Sequence, residues 1–202
     1  MNALIIFARY PEPGRVKTRL GAVIGMEQAA GLYREFARNA FSIGTILETK
    51  RVAVYLFYPP GVPESSMRGW IGKPFRYRLQ TGEGLGERME NAFRTTFNEG
   101  ATASVIIGTD VPELEVETVW QAFGSLSTHD FVVGPCSDGG YYLLGMKEPR
   151  EGLFTGVQWS TGEVLASTYR KIRELKLSYV DLRIHEDIDT IEDYEAYRTR
   201  RP

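Results

Sequence analysis

Asp110 stands directly after the apolar run Val105-Ile106-Ile107, in the segment Val-Ile-Ile-Gly-Thr-Asp-Val-Pro. A buried strand delivers its last residues to the rim of a sheet, and Pro112 stiffens the turn that follows. A carboxylate there suits Mg2+ or Mn2+, hard cations that take oxygen ligands from one or two carboxylates, phosphate and water. It suits equally well the capping of the next helix. Asp187-Ile188-Asp189-Thr190 offers a second carboxylate, and strand alternation points Asp187 and Asp189 the same way. Taken alone, that stretch reads better as the acidic start of a helix.

Two further segments carry reactive groups. Arg9-Tyr10-Pro11-Glu12-Pro13-Gly14-Arg15-Val16-Lys17-Thr18-Arg19 places four basic side chains in eleven residues, with Gly14 among them. Glycine allows close backbone approach, and Lys and Arg neutralise phosphate oxygens, so the loop is read as an anion site. A solvated basic loop is the plain alternative. The Lys17-Thr18 pair is not a P-loop, because Val16 stands where that motif has glycine. Ser137-Asp138-Gly139-Gly140-Tyr141-Tyr142 reads either as a hairpin turn or as the wall of an acceptor pocket. His129, His185 and the single Cys136 lack zinc-ligand spacing. Cys136 is read as a small packed residue and not as a nucleophile.

The elements that must position these residues follow from the hydrophobic pattern. Strands are expected at Leu4–Ala8, Val52–Tyr58, Phe75–Leu79, Ser104–Gly108, Phe131–Gly134, Tyr141–Gly145 and Leu177–Leu182. Arg9–Gly25 reads as a loop. A helix starts at Met26, with Ala29, Ala30, Tyr33, Phe36, Ala37, Ala40 and Phe41 on one face. Ser65–Ile71 is a short helix, and Gln80–Gly86 a glycine-rich turn. The next two helices bury Leu85, Met89, Ala92, Phe93 and Phe97, then Val116, Val119, Trp120, Phe123 and Leu126. Ser160 and Glu163 suggest a capping box for a helix through Leu175, and Thr190 with Asp193 suggests the cap of a last helix. Alternating strands and helices indicate a single α/β domain over residues 1–202, with a mostly parallel central sheet and helices on both faces. Ligands of such sheets bind beyond the carboxyl ends of the strands, which is where the reactive segments fall.

The chain has 202 residues with 24 basic and 26 acidic side chains, a formal net charge of −2. That balance excludes a general electrostatic grip on nucleic acid, though not a local anion pocket. No apolar run reaches the roughly 18 residues of a membrane span. The short apolar start, cut off by Arg9 and Pro11, is not a secretory signal. With one cysteine, a cytoplasmic protein is expected.

Taken in order, five segments resemble a bacterial glycosyltransferase-like family, formerly classed as a domain of unknown function, within the GT-A-like nucleotide-diphospho-sugar transferase superfamily. They are Phe7–Leu20, Gln80–Met89, Gly108–Pro112, Gly134–Gly145 and Asp187–Tyr194. The resemblance implies a Rossmann-like GT-A fold and a transferase that uses a nucleotide-activated donor with Mg2+ or Mn2+. It implies Arg9, Gly14, Arg15, Lys17, Arg19, Gln80, Gly86 and Thr109 as nucleotide-binding residues, Gln80 and Gly86 at the base. Asp110 and Asp189 are implied as metal ligands, Lys17, Asp110 and Asp138 as catalytic residues. Ser137, Asp138, Gly139, Gly140 and Tyr141 are implied to face a small acceptor. The sequence departs from the superfamily's glycine-rich Leu-Ala-Ala-Gly-x-Gly opening, having Pro11, Pro13 and only Gly14 before Lys17. Glycosyl transfer from a sugar nucleotide is the first expectation. Transfer of NMP from an NTP to a phosphorylated acceptor is the alternative, and a non-catalytic nucleotide binder the third. Assembly as a homodimer is left open.

Overall fold

The computed structural model describes residues 1–200; the last two positions of the expected 1–202 domain lie outside the described residues. Seven strands form one sheet: β1 (Asn2–Phe7), β2 (Ala53–Tyr58), β3 (Arg76–Leu79), β4 (Ala103–Ile107), β5 (Phe131–Pro135), β6 (Tyr141–Met146) and β7 (Tyr179–Asp181). Their spatial order is β3-β2-β1-β4-β6-β5-β7. Only β6 runs antiparallel to its neighbours, β4 and β5. Seven helices accompany the sheet: α1 (Thr18–Ile24), α2 (Met26–Thr49), α3 (Glu64–Ile71), α4 (Leu85–Asn98), α5 (Val116–Ser125), α6 (Val164–Glu174) and α7 (Ile191–Arg200). The expected α/β/α architecture with a mostly parallel sheet is therefore present.

The sheet is covered on both sides, so its central strands are apolar at every position. Period-two alternation sorts their side chains into two cores. Leu4, Ile6, Val105 and Ile107 pack with Tyr33, Ala37 and Phe41 of α2, Met67 of α3 and Val119 and Phe123 of α5. Ala3, Ile5 and Ile106 pack on the opposite face with Met89, Ala92 and Phe93 of α4 and Ile172 of α6. From β1 the chain proceeds outward to β2 and β3 on one side, and from β4 toward β6 and β5 on the other. The crevice at the carboxyl ends of β1 and β4 is thus the switch point where such sheets take ligands.

Four local expectations are corrected. The Arg9–Gly25 segment is not all loop: α1 occupies Thr18–Ile24 and buries Leu20 and Gly21. Its apolar content is one turn's worth, too little to stand out beside the prolines and basic residues. Ser160 does not cap α6, because its backbone is left-handed at φ 62° and the residue preceding the helix is Glu163. Leu85 and Trp120 are both 44 % exposed. Leu85 opens its helix, and the Trp120 ring is covered by Lys50, whose Nζ lies 5.0 Å from the centroid. The Thr190 cap is present and reciprocal. Asp193 N–H donates to Thr190 Oγ1 at 3.3 Å, and Asp193 Oδ2 accepts from Thr190 N–H at 2.8 Å.

The far edge of the sheet is held by a charged junction. Asp130 Oδ2 accepts from the Ser178 hydroxyl at 2.7 Å and the Ser178 N–H at 2.8 Å, and Lys147 pairs with it at 3.1 Å. The Ser178 hydrogen bonds, then Lys147, hold its pKa down to about 2. A depressed carboxylate adds stability above its unfolded pKa, and that stability is lost as pH falls through the folded value. Asp130→Asn is therefore expected to lower the melting temperature by several degrees at pH 7. The gap to wild type closes between pH 4 and pH 2, as thermal melts across that range will show. Among the described residues, no helix is long and apolar enough to cross a membrane.

Candidate active site

At the switch point, three sequence-distant segments converge on one ammonium group. Lys17 Nζ lies 2.6 Å from Asp110 Oδ1 and 2.7 Å from Asp189 Oδ1. The lysine side chain is 3 % exposed, while the two carboxylates are 43 % and 47 % exposed. The ammonium therefore lies beneath the carboxylates, which open to the crevice. Burial alone would lower the Lys17 pKa, but the charges and hydrogen bonds of Asp110 and Asp189 outweigh it and the net shift is upward. The lysine is charged at any physiological pH.

The local chain is bent to achieve this. Lys17 precedes α1 with φ 47° and ψ 44°, a left-handed conformation that is costly for a residue with a Cβ. Such strain persists only where the surroundings over-determine it, and here the two ion pairs do so. Tyr33 ties the loops after β1 and β4 together. Its buried hydroxyl accepts from Arg9 N–H at 2.8 Å and from Thr109 Oγ1 at 3.0 Å. Burial, then the Asp110 charge, pushes the Tyr33 phenol up to about 12, so it remains a neutral pin. The third segment is drawn in by Ile188 N–H, which donates to Asp110 O at 3.1 Å. Ile188 is buried with Phe36 and Tyr197, so Asp187 and Asp189 on either side of it turn toward the cluster, as alternation requires.

The capping reading of Asp110 does not hold, because Glu115 precedes α5. Asp189 does stand at the acidic start of a helix, directly before Thr190, which caps α7.

Asp138 and Asp187 lie beside this pair, next to Cys136. Burial first, then the charges of Asp138 and Asp189, raise the Asp187 pKa to about 6. Asp138 Oδ1 accepts from Gly140 N–H at 2.8 Å, which closes the turn after β5. That turn is wedged backbone to backbone. A Cβ at Gly139, where φ is +88°, would come within 2.1 Å of Gly162 O. Gly139→Ala is expected to destabilise the fold by about 2–4 kcal/mol, strain and clash together, in a denaturant titration.

The other expected site residues divide into two sets. Arg9, Gly14, Arg15, Arg19 and Ser137 are exposed around the crevice segments, Arg15 pairing with Glu12 at 3.1 Å. Gln80, Gly86, Thr109 and Tyr141 are tied into the fold. Gln80 is 7 % exposed and donates through Nε2 to Phe57 O at 3.2 Å. Gly86 lies under the Trp159 indole, whose Nε1 would meet a Cβ at 2.6 Å. The Tyr141 hydroxyl turns inward and donates to Met89 Sδ at 3.8 Å. Gly140 belongs to the turn that presents Asp138. Tyr33, Asp187 and Cys136 are cluster members that were not among the expected site residues. For Asp187 the i, i+2 spacing to Asp189 carried the signal. For Tyr33 the only cue was a phenol in a helix's apolar stripe, which needs a partner when buried.

The arrangement can hold one divalent cation or two on oxygen ligands, with a basic loop beside them for an anionic group. Residues 42–161 match the family described as an uncharacterised protein conserved in bacteria (DUF2064). A crystal structure from Desulfovibrio desulfuricans G20, provisionally named a nucleotide-diphospho-sugar transferase, shares 34% identity at a TM-score of 0.92, over 99% of this chain and 87% of that one. Two more distant structures share the fold. One is 4-diphosphocytidyl-2C-methyl-D-erythritol synthase from Anaerococcus prevotii DSM 20548, with 11% identity, a TM-score of 0.63, and 99% and 96% of the two chains covered. The other is CMP:2-keto-3-deoxy-manno-octonic acid synthetase complexed with CTP, with 11% identity, a TM-score of 0.59, and 98% and 97% covered. No curated protein matches the chain by sequence.

Proposed function

The chain belongs to the bacterial DUF2064 family, and from that premise we propose that it is a metal-dependent transferase that uses a nucleotide-activated donor, with a sugar nucleotide as donor and a small molecule as acceptor. The observation that carries this reading is the convergence of Asp110 and Asp189 on a single buried cation at the switch point. Two carboxylates that already share a monovalent cation, and expose nearly half of their surface, make a fitting donor set for Mg2+ or Mn2+. A divalent cation bound by them would neutralise charge on the donor's phosphates.

The chain's own residues supply the rest. Lys17 holds the two carboxylates in register from below, and with its ammonium engaged by both of them it is a positioning residue in this state. The exposed guanidinium groups of Arg9 and Arg19, and that of Arg15 on exchanging its pairing with Glu12, would take phosphate oxygens, a role bidentate guanidinium suits. The Ser137–Tyr141 turn, fixed by Gly139 against Gly162, forms the acceptor side and presents Asp138 as the general base for an acceptor hydroxyl. Preorganised charges of this kind stabilise transfer without covalent participation by the protein.

A thermal-shift screen of NTPs and sugar nucleotides, with and without Mg2+ or Mn2+, tests the reading. A ligand at 100 times its Kd stabilises the native state by about 2.7 kcal/mol. The expected result is the largest rise for a sugar nucleotide with metal, and release of a nucleoside diphosphate on turnover. A preference for an NTP, with pyrophosphate released, replaces glycosyl by nucleotidyl transfer at the same site. Metal-independent shifts for every nucleotide would leave only a binding protein.

A further inference from the structure

Cys136, the only cysteine in the chain, packs at the rim of the core, where its thiol also faces two carboxylates. It is 7 % exposed, and among the described residues its thiol has no hydrogen-bond partner. Its Sγ, an oxygen of Asp138 and an oxygen of Asp187 all lie within 4.8 Å of one another.

The backbone around it is shaped to bring these groups together. The β5–β6 ladder shifts register at Gly134/Pro135, immediately before Cys136. Irregularities of this kind re-aim side chains and gather next to active sites. Cys136 bridges to His185, and His185 N–H donates to Pro135 O at 3.2 Å, so the strand carrying Asp187 runs alongside. Asp138 is fixed from the other side by its own turn. The ammonium of the neighbouring cluster is already bonded to Asp110 and Asp189. Cys136, Asp138 and Asp187 therefore form a group of one thiol and two carboxylates, and Lys17 makes its ion pairs with Asp110 and Asp189 instead of with either of these carboxylates.

We propose that Cys136, Asp138 and Asp187 form a second metal site, selective for a borderline transition cation of the Zn2+ class and separate from the Asp110–Asp189 pair. Thiolate ligands favour Zn2+ over Mg2+, whereas the all-oxygen pair suits the hard cations. Three protein ligands leave a coordination position open, the pattern of catalytic rather than closed structural zinc sites. The thiol proton is released to solvent as the cation binds. The open position adjoins the Ser137–Gly140 turn, so a ligand with a phosphate or hydroxyl oxygen is the chemistry it would take. The site itself does not depend on the donor reading above, and when it is loaded Asp138 acts as a ligand in place of the general-base role given to it there.

Chelator-stripped protein titrated with Co2+ tests this directly. Co2+ bound to a thiolate gives an intense near-ultraviolet charge-transfer band that oxygen ligands do not, and with one cysteine in the chain the band reports Cys136 alone. The expected result is a band in wild type that Zn2+ bleaches and excess Mg2+ does not. It persists in Asp110→Asn, which removes the neighbouring site, and is lost in Cys136→Ser. Asp187→Asn weakens Co2+ binding at least about tenfold. Co2+ binding without the band, no Co2+ binding at all, or a band unchanged in both Asp138→Asn and Asp187→Asn would overturn the proposal. Circular dichroism of each variant separates loss of the site from loss of the fold, and the Zn2+ bleaching in wild type needs no variant.

Discussion

Lys17→Met is expected to lower both stability and turnover by more than any substitution of an arginine in the same loop. The methionine fills the slot but leaves Asp110 and Asp189 facing one another across the position of an ammonium that lay 2.6 and 2.7 Å from them. Removing one partner of a buried charge cluster costs about 3–5 kcal/mol. The carboxylates' exposure lets water recover part of that, so about 2–3 kcal/mol is the expectation, read as a fall in melting temperature. Turnover should fall about 100-fold or more, because the carboxylates lose their register. Lys17→Arg should not rescue it, since a planar guanidinium does not fit where a 3 % exposed ammonium is held. Millimolar Mn2+ is expected to restore part of the lost melting temperature by standing between the carboxylates. Arg15→Ala, at a side chain 69 % exposed, is the control and should leave stability within about 0.5 kcal/mol. A Lys17→Met protein with wild-type stability and wild-type KM would show that the ammonium is dispensable.

Asp110→Ala and Asp189→Ala should each reduce kcat/KM by about 10²–10³, the scale of losing one electrostatic contact in a transition state. The double variant should be little worse than either single one, because residues that act as a unit are strongly non-additive. Neither substitution removes a helix cap, since Glu115 precedes α5 and Thr190 caps α7. Loss of activity should therefore exceed what any loss of stability explains. Multiplicative losses in steady-state kinetics would mean that the two carboxylates serve different steps.

The fold was legible where burial on both faces leaves an unmistakable pattern. Val105–Ile107 and the stripe from Ala29 to Phe41 announced a central strand and a long helix, and both stand as expected. The α1 helix was hidden because a seven-residue helix shows too few apolar positions to be told from a loop. Trp120 misled because its ring stays 44 % exposed at the surface, with Lys50 over it, and does not enter the core. At the site, strand ends marked Asp110, and spacing marked Asp187 and Asp189. The direction of Lys17 was not legible. A lysine in a basic loop looks exposed, and only the left-handed turn at φ 47° carries it under the carboxylates. Cys136 packs in the core as expected, while the approach of Asp187 to it was not legible, because Asp187 lies some fifty residues on.

In the proposed reaction, Asp110 and Asp189 bind the cation through which a nucleotide-activated donor is held. Isothermal titration of the nucleotide preferred in the thermal screen, with and without Mn2+, measures this in wild type and in Asp110→Asn. Mn2+ is expected to tighten nucleotide binding at least about tenfold in wild type, and this gain should disappear in a folded Asp110→Asn protein. An equal Mn2+-dependent gain in both proteins would contradict it.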